Sequence, residues 1–213
     1  MSEKLRQVYA RFQAVRPAPD AFPIEKVFGD PFMSLVGVAL SAQTRDERTA
    51  EACDRLFAVA RTPEQILALE PDALRDLIRP VGMYNVKARN LLVMCRQLLE
   101  RHGGLVPNDR QMLMALTGIG RKSTDIMMRF VFNQPAIAVD THVHRISNRL
   151  GVAKTKSEAQ TAVILERDTP DEYRWSAHEW LIDHGKYICR ARNPLCEECM
   201  FLDICDYYSQ RVR

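Results

Sequence analysis

Four of the six cysteines in this 213-residue chain fall in its last 25 residues, spaced Cys189-x6-Cys196-x2-Cys199-x5-Cys205. Four thiolates with one tight C-x-x-C pair can enclose a tetrahedral zinc or a [4Fe–4S] cube, and the spacing alone leaves both open. The N-terminus, MSEKLRQVYARF, shows no signal-peptide core, so clustered cysteines point to metal ligation before disulfides. Arg190 and Arg192 lie in the x6 loop, where they could reach phosphates. A second constellation stands in mid-chain, at Leu116-Thr-Gly118-Ile-Gly120-Arg121-Lys122. Two glycines around an apolar residue allow a tight turn, and a helix opening straight after it turns its free N–H groups toward an anion. A cation in that first turn opposes the helix dipole, which favours the uncharged amine a nucleophile must be. Eighteen residues on, Asp140 follows the apolar run Ala136–Val139. It is a natural N-cap, and equally a carboxylate placed to act as a base or to stabilise a cation. Together a lysine and an aspartate facing across a cleft could perform amine chemistry on an electrophilic carbon. His142 and His144 point to different sides of a helix and do not form a metal pair.

The elements that must hold these groups are helical almost throughout. Leu5, Val8, Tyr9 and Phe12 form one apolar stripe. Asp30-Pro31 predicts an N-cap and first-turn proline for an apolar helix running to about Gln43. Thr62-Pro-Glu-Gln65 reads as a capping box, and a helix from about Asn85 to Arg101 stops at Gly103-Gly104. Two more, Arg110 to Leu116 and Arg121 to Phe132, flank the glycine turn. Ala136–Val139 is the one candidate strand. The fold class is all-α. Proline-rich Arg16 to Asp30 and Asn133-Gln-Pro135 are candidate lobe boundaries, and Cys53 and Cys95 read as packed core thiols.

Composition excludes the extremes. Hydrophobic residues make up 46% and charged residues 27%, within the globular range, and no apolar stretch approaches the ~20 residues of a membrane helix. The formal net charge of +3 is unevenly spread: Arg121 to Lys156 holds seven Lys/Arg against two Asp. That basic segment suggests a polyanion and is compatible with nucleic acid.

In this order, the glycine hairpin with Lys122, then Pro135 to Asp140-Thr-His142, then the cysteine tail, the chain resembles endonuclease III of the helix-hairpin-helix glycosylase superfamily. Leu40-Ser-Ala-Gln43, Gly82-Met-Tyr-Asn85-Val-Lys-Ala88 and His184-Gly-Lys-Tyr187 match as well, so the resemblance covers roughly Pro31 to Tyr207. It implies a two-lobed fold: a six-helix lobe over 24–134, and a second lobe of 1–23 plus 135–213 with a [4Fe–4S] loop at 186–207 held by the four cysteines. Lys122 would come from the first lobe and Asp140 from the second, with duplex DNA between.

The activity implied is that of a bifunctional DNA glycosylase and abasic-site lyase. A damaged pyrimidine would be flipped out of the duplex. Lys122 would attack C1′, expel the base and form a Schiff base, and β-elimination of the 3′ phosphate would follow. Asp140 would deprotonate the lysine or stabilise charge on the sugar. Gln43 would fill the vacated space and Met83 would wedge into the duplex, where the family usually has leucine. Gly118, Gly120, Arg121, His142, Arg190 and Arg192 would contact DNA. Adenine-removing relatives lack the lysine, so its presence favours the lyase class. Asp125, one turn beyond Lys122, departs from the family pattern and could pair with the lysine or face away. It leaves open a DNA- or damage-binding paralogue with weak catalysis, beside a T/U–G mismatch glycosylase. The expected partner is double-stranded DNA containing damaged pyrimidines or abasic sites. The protein is expected to be a cytoplasmic, nucleoid-associated monomer with no export signal and no membrane segment.

Overall fold

A computed structural model describes residues 3–15 and 29–211, so the proline-rich stretch after Val15 lies almost wholly outside the described residues. The helices are α1 Glu3–Val15, α2 Pro31–Ser41, α3 Asp46–Phe57, α4 Pro63–Leu67, α5 Pro71–Leu77, α6 Tyr84–His102, α7 Arg110–Met114 and α8 Arg121–Ile126. They continue with α9 Thr141–Leu150, α10 Glu158–Asp168, α11 Ala177–Tyr187 and α12 Asp206–Arg211. No strand occurs among the described residues. No helix among them is long and apolar enough to cross a membrane. The chain divides into two compact units, Pro23–Gln134 and Met1–Phe22 with Pro135–Arg213.

Helix starts follow the cap signals. Asp30 accepts a hydrogen bond from Met33 N at 2.8 Å, and Pro31 takes the first helical position. Thr62 Oγ1 accepts from Gln65 N at 3.3 Å, while Gln65 Oε1 reaches back to Arg61 N at 2.7 Å, one residue earlier than a capping box requires. Two expectations are corrected. The segment after the glycine turn is not one α-helix: it widens at Met127–Val131 into a π turn, closed by Phe132 N on Met127 O. Met127 and Met128 at its start are both buried. Ala136–Val139 pairs with no strand; it is a buried extended run, and His178 Nδ1 lies 2.9 Å from Ala138 O.

In the unit Pro23–Gln134 the core is drawn from Leu35, Leu40, Leu56, Ile66, Leu74 and Leu98, and Cys53 and Cys95 lie buried with them. Desolvation pushes the Cys95 thiol up to about 12, as an inert packed cysteine requires. In the other unit the stripe Leu5, Val8, Tyr9 and Phe12 is fully buried against Val143, Ile146, Trp180 and Phe201. Phe12 stacks on Trp180 at 5.9 Å and meets Phe201 edge-on at 4.8 Å. At roughly 1.5–3 kcal/mol per buried side chain, that stripe outweighs the weak intrinsic preference of a 13-residue helix.

Helix α9 ends at Gly151 in the left-handed region (φ +82°), and a Cβ there would collide with the Asp206 carboxylate. Asp206 is itself bound to Lys4 at 2.5 Å and to Lys154 at 3.5 Å. We expect Gly151→Ala to lower folding stability by about 2 kcal/mol, from the left-handed strain plus a displaced ion pair, in chemical denaturation of the holoprotein.

Candidate functional site

The cysteine tail has little core of its own, and α9 organises it. Thr141–Leu150 presents Arg145 and Arg149 four residues apart on one face. Arg145 Nε donates to Cys189 O at 2.9 Å and its Nη2 to Gly185 O at 2.5 Å. Arg149 donates to the carbonyls of Arg190 and Ala191 at 2.7 and 3.1 Å, and its guanidinium lies over the Tyr207 ring. These bonds satisfy the carbonyls of the loop that carries the thiols.

Cys189, Cys196, Cys199 and Cys205 line one cavity, closed by Ile146, Leu150, Ile188, Pro194 and Leu195. Among the described residues no three His, Cys, Asp or Glu side chains converge on a position for a single metal ion. Four thiols around a shared cavity fit a [4Fe–4S] cube, which takes four cysteine ligands. The lining offers four soft thiols with the His184 imidazole beside them and no carboxylate. Burial pushes the Cys199 thiol up to about 11 and raises Cys189 despite the adjacent Arg149. Both become thiolates at neutral pH once a cation is bound. His184 Nε2 lies 3.3 Å from Cys199 Sγ, and burial lowers this imidazole to about 4.

Asp140 is the N-cap of α9. Its Oδ1 accepts from His142 N at 2.8 Å and Val143 N at 2.9 Å. Both bonds use one oxygen, so Oδ2 remains without a partner among the described residues. His142 is half-buried: Gly185 packs against its Cβ and Arg145 Nη2 lies 3.2 Å from its Nδ1. Arg190 and Arg192 are exposed, with Arg190 Nε on Tyr187 O at 3.0 Å.

In the other unit the glycine turn lies between α7 and α8. Gly118 is left-handed (φ +87°), and a Cβ there would press on Asn90 at 3.3 Å. Ile119 is buried as the anchor of the turn, whereas Gly118 and Gly120 are exposed. Lys122 is exposed in the first turn of α8. The buried Asp125 turns to Arg110 Nη1, and Arg121 Nε lies 3.7 Å from its other oxygen. Arg121, expected as a DNA contact, therefore also braces the hairpin from within.

Backbone strain marks a further pair in this unit. Among the described non-glycine residues only Gln43, Met83, Asn133 and Asn193 have positive φ, and asparagine tolerates that region. Gln43 (φ 54°) and Met83 (φ 55°) have no such excuse, and both are exposed. The two loops touch, since a Cβ on Gly82 would stand 3.4 Å from Gln43 O. A left-handed non-glycine residue costs about 1–2 kcal/mol and persists only where the surrounding structure holds it.

The structure thus gathers Gln43, Met83, the glycine turn, Arg121 and Lys122 in one unit, and Asp140, His142, Arg190, Arg192 and the four cysteines in the other. Sequence reasoning gave no role to Arg145, Arg149, His184 or Lys87. The four-residue spacing of the two arginines was a readable signal; His184 and Lys87 stood within the motifs that carry the resemblance, with nothing to show what they bind.

Residues 36–170 match the HhH-GPD superfamily of base excision DNA repair proteins, and residues 189–205 match the iron–sulfur binding domain of endonuclease III. Endonuclease III of Escherichia coli K12 is 40% identical over 204 residues, covering 96% of this chain and 95% of its own. That of Haemophilus influenzae is 39% identical over 201 residues, covering 94% of each chain. A trapped endonuclease III–DNA covalent intermediate superposes with a TM-score of 0.88 at 36% identity over 100% of both chains.

Two outcomes follow from the geometry. Gln43→Gly should raise thermal stability, since relief of the left-handed strain exceeds the extra chain entropy of glycine by about 0.5–1 kcal/mol, or roughly 2 °C in a melting curve. Cys199→Ala should yield a protein with depleted iron and weakened visible absorbance, measured by iron assay and spectrum against the wild type.

Proposed function

The chain belongs to the endonuclease III family of HhH-GPD base excision repair proteins, and from that premise we propose that Lys122 and Asp140 carry its chemistry on oxidised pyrimidines in duplex DNA. The protein is a DNA glycosylase with abasic-site lyase activity, its partner is DNA, and it carries a [4Fe–4S] cluster. When bound to Cys189, Cys196, Cys199 and Cys205, the cluster supplies the bonds that pin a loop-rich tail.

The observation that carries the assignment is the exposed Lys122 at the opening of α8, behind a glycine turn and with Asp125 committed to Arg110 and Arg121. The turn and the α8 N-terminus receive a DNA phosphate, which sets the sugar beside the lysine. The flipped nucleotide exposes C1′; the Lys122 amine forms the N–C1′ bond as the glycosidic bond breaks and the base departs with the electron pair. Loss of a proton from the attached nitrogen and ring opening give the Schiff base. Removal of a C2′ proton then expels the 3′ phosphate.

Asp140 takes the proton from the attacking amine or stabilises positive charge on the sugar through Oδ2, while Oδ1 remains the helix cap. Gln43 and Met83 occupy the space the nucleotide leaves. His142, Arg190 and Arg192, with the turn residues Gly118, Gly120 and Arg121, meet the backbone. The reading of a DNA-binding paralogue drew on Asp125 beside Lys122, and the pairing of Asp125 with Arg110 weakens it. We also infer a monomer working at the nucleoid, where its substrate lies.

Borohydride trapping on a thymine-glycol duplex tests the nucleophile. Lys122→Gln should abolish the trapped adduct while DNA binding persists, and trapping at the wild-type level would overturn the assignment. Asp140→Asn keeps an N-cap and should remain folded, but excise roughly 10²-fold more slowly in single turnover.

A further inference from the structure

We infer that Lys87 is a positioning residue: its buried side chain holds Gln43 in its left-handed turn beside Met83, so that both side chains meet the duplex as one preformed wedge. The inference rests on the roles proposed above for Gln43 and Met83.

The turn is defined by its backbone. Ala42 has φ −54° and ψ 118°, Gln43 follows at φ 54°, and Thr44 N donates to Ser41 O at 3.0 Å. This is a type II turn with Gln43 at the position that favours glycine or asparagine. Nothing in glutamine's own preferences keeps it there, so the surroundings must.

Lys87 provides the hold. Its Nζ donates to Leu40 O at 2.8 Å, Ala42 O at 2.7 Å and Thr44 Oγ1 at 2.7 Å. Those acceptors bracket Gln43 on both sides and use all three ammonium donors. Lys87 is only 8% exposed, and none of its acceptors is a carboxylate. A buried cation on neutral oxygens is an expensive way to end a helix that a glycine or water could finish. The negative end of the α2 dipole and its orphan carbonyls make the site tolerable. Burial still lowers the pKa of the amine from its ordinary value.

The same residue is tied to Met83. Lys87 N donates to Met83 O at 3.0 Å, in the first turn of α6, and Met83 is that helix's N-cap. Backbone and side chain of one residue thereby lock the two strained positions to each other, and Gly82 permits the close approach of the loops.

The test uses the holoenzyme with Lys87→Met, with the milder Thr44→Val, and with each combined with Gln43→Ala. Hydrogen exchange is followed at the Thr44 amide, and single-turnover excision on a thymine-glycol duplex. Lys87→Met should speed exchange at Thr44 and slow excision about tenfold, and the combination with Gln43→Ala should be no slower than Gln43→Ala alone. Thr44→Val should show the same pattern to a smaller extent, and it decides the matter if Lys87→Met does not fold. Losses that multiply in the double variants, or Thr44 exchange unchanged in both single variants, would overturn the inference. A wild type that excises nothing would defeat the functional reading instead, leaving exchange to judge Lys87.

Discussion

A helix end leaves several backbone donors or acceptors without partners, and that constraint places nearly every candidate group in this protein. Asp140 caps the start of α9; the glycine turn opens onto the free N–H groups of α8; Met83 stands at the N-cap position of α6 with no capping side-chain bond. Lys87 closes the end of α2, and the chain leaving α11 delivers Cys189, whose N–H bonds to His184 O at 2.7 Å. Chemistry gathers at these ends because their unpaired groups can be satisfied either by the protein or by a ligand. Where the protein supplies a single oxygen, as Asp140 does, part of the group stays available.

The iron–sulfur loop shows the same constraint from the opposite side. A tail with little regular helix leaves carbonyls without backbone partners, so Arg145 and Arg149 of α9 supply donors for them. Burial raises the Cys189 and Cys199 thiols, and a bound cation favours their thiolates. Cluster and arginines are therefore complementary: one satisfies the sulfurs, the others the backbone. Since Asp140 begins the helix that carries both arginines, its carboxylate and the cysteine loop are referenced to one element.

Much of this was legible in the sequence because it depends on local pattern. The α1 stripe, the Asp30 and Thr62 caps, the glycine turn and the cysteine spacing each express a rule a few residues long. What was hidden depends on partners distant in sequence. Asp125 beside Lys122 looked like a rival for the lysine, and only the fold brings Arg110 to it, fifteen residues back. Lys87 lies 47 residues from Leu40, and nothing along α6 separates it from a solvent lysine. The π turn at Met127–Val131 escaped for a different reason: nothing in the helical pattern of its residues distinguishes a widened turn from an α-helical one.

Strain and hold at Gln43 must be considered together. A left-handed glutamine would relax if its loop were loose, and a loose loop would have to be ordered anew at each encounter with DNA, weakening binding by the entropy of that ordering. Fixing the loop in advance transfers that cost to folding, where the large apolar core can offset about 1–2 kcal/mol of strain. On the role proposed for Gln43, the hold must itself avoid the duplex, which excludes exposed side chains near the tip. A buried ammonium reaching three acceptors from the neighbouring helix meets that condition: it grips the backbone on both sides and leaves the Gln43 side chain free.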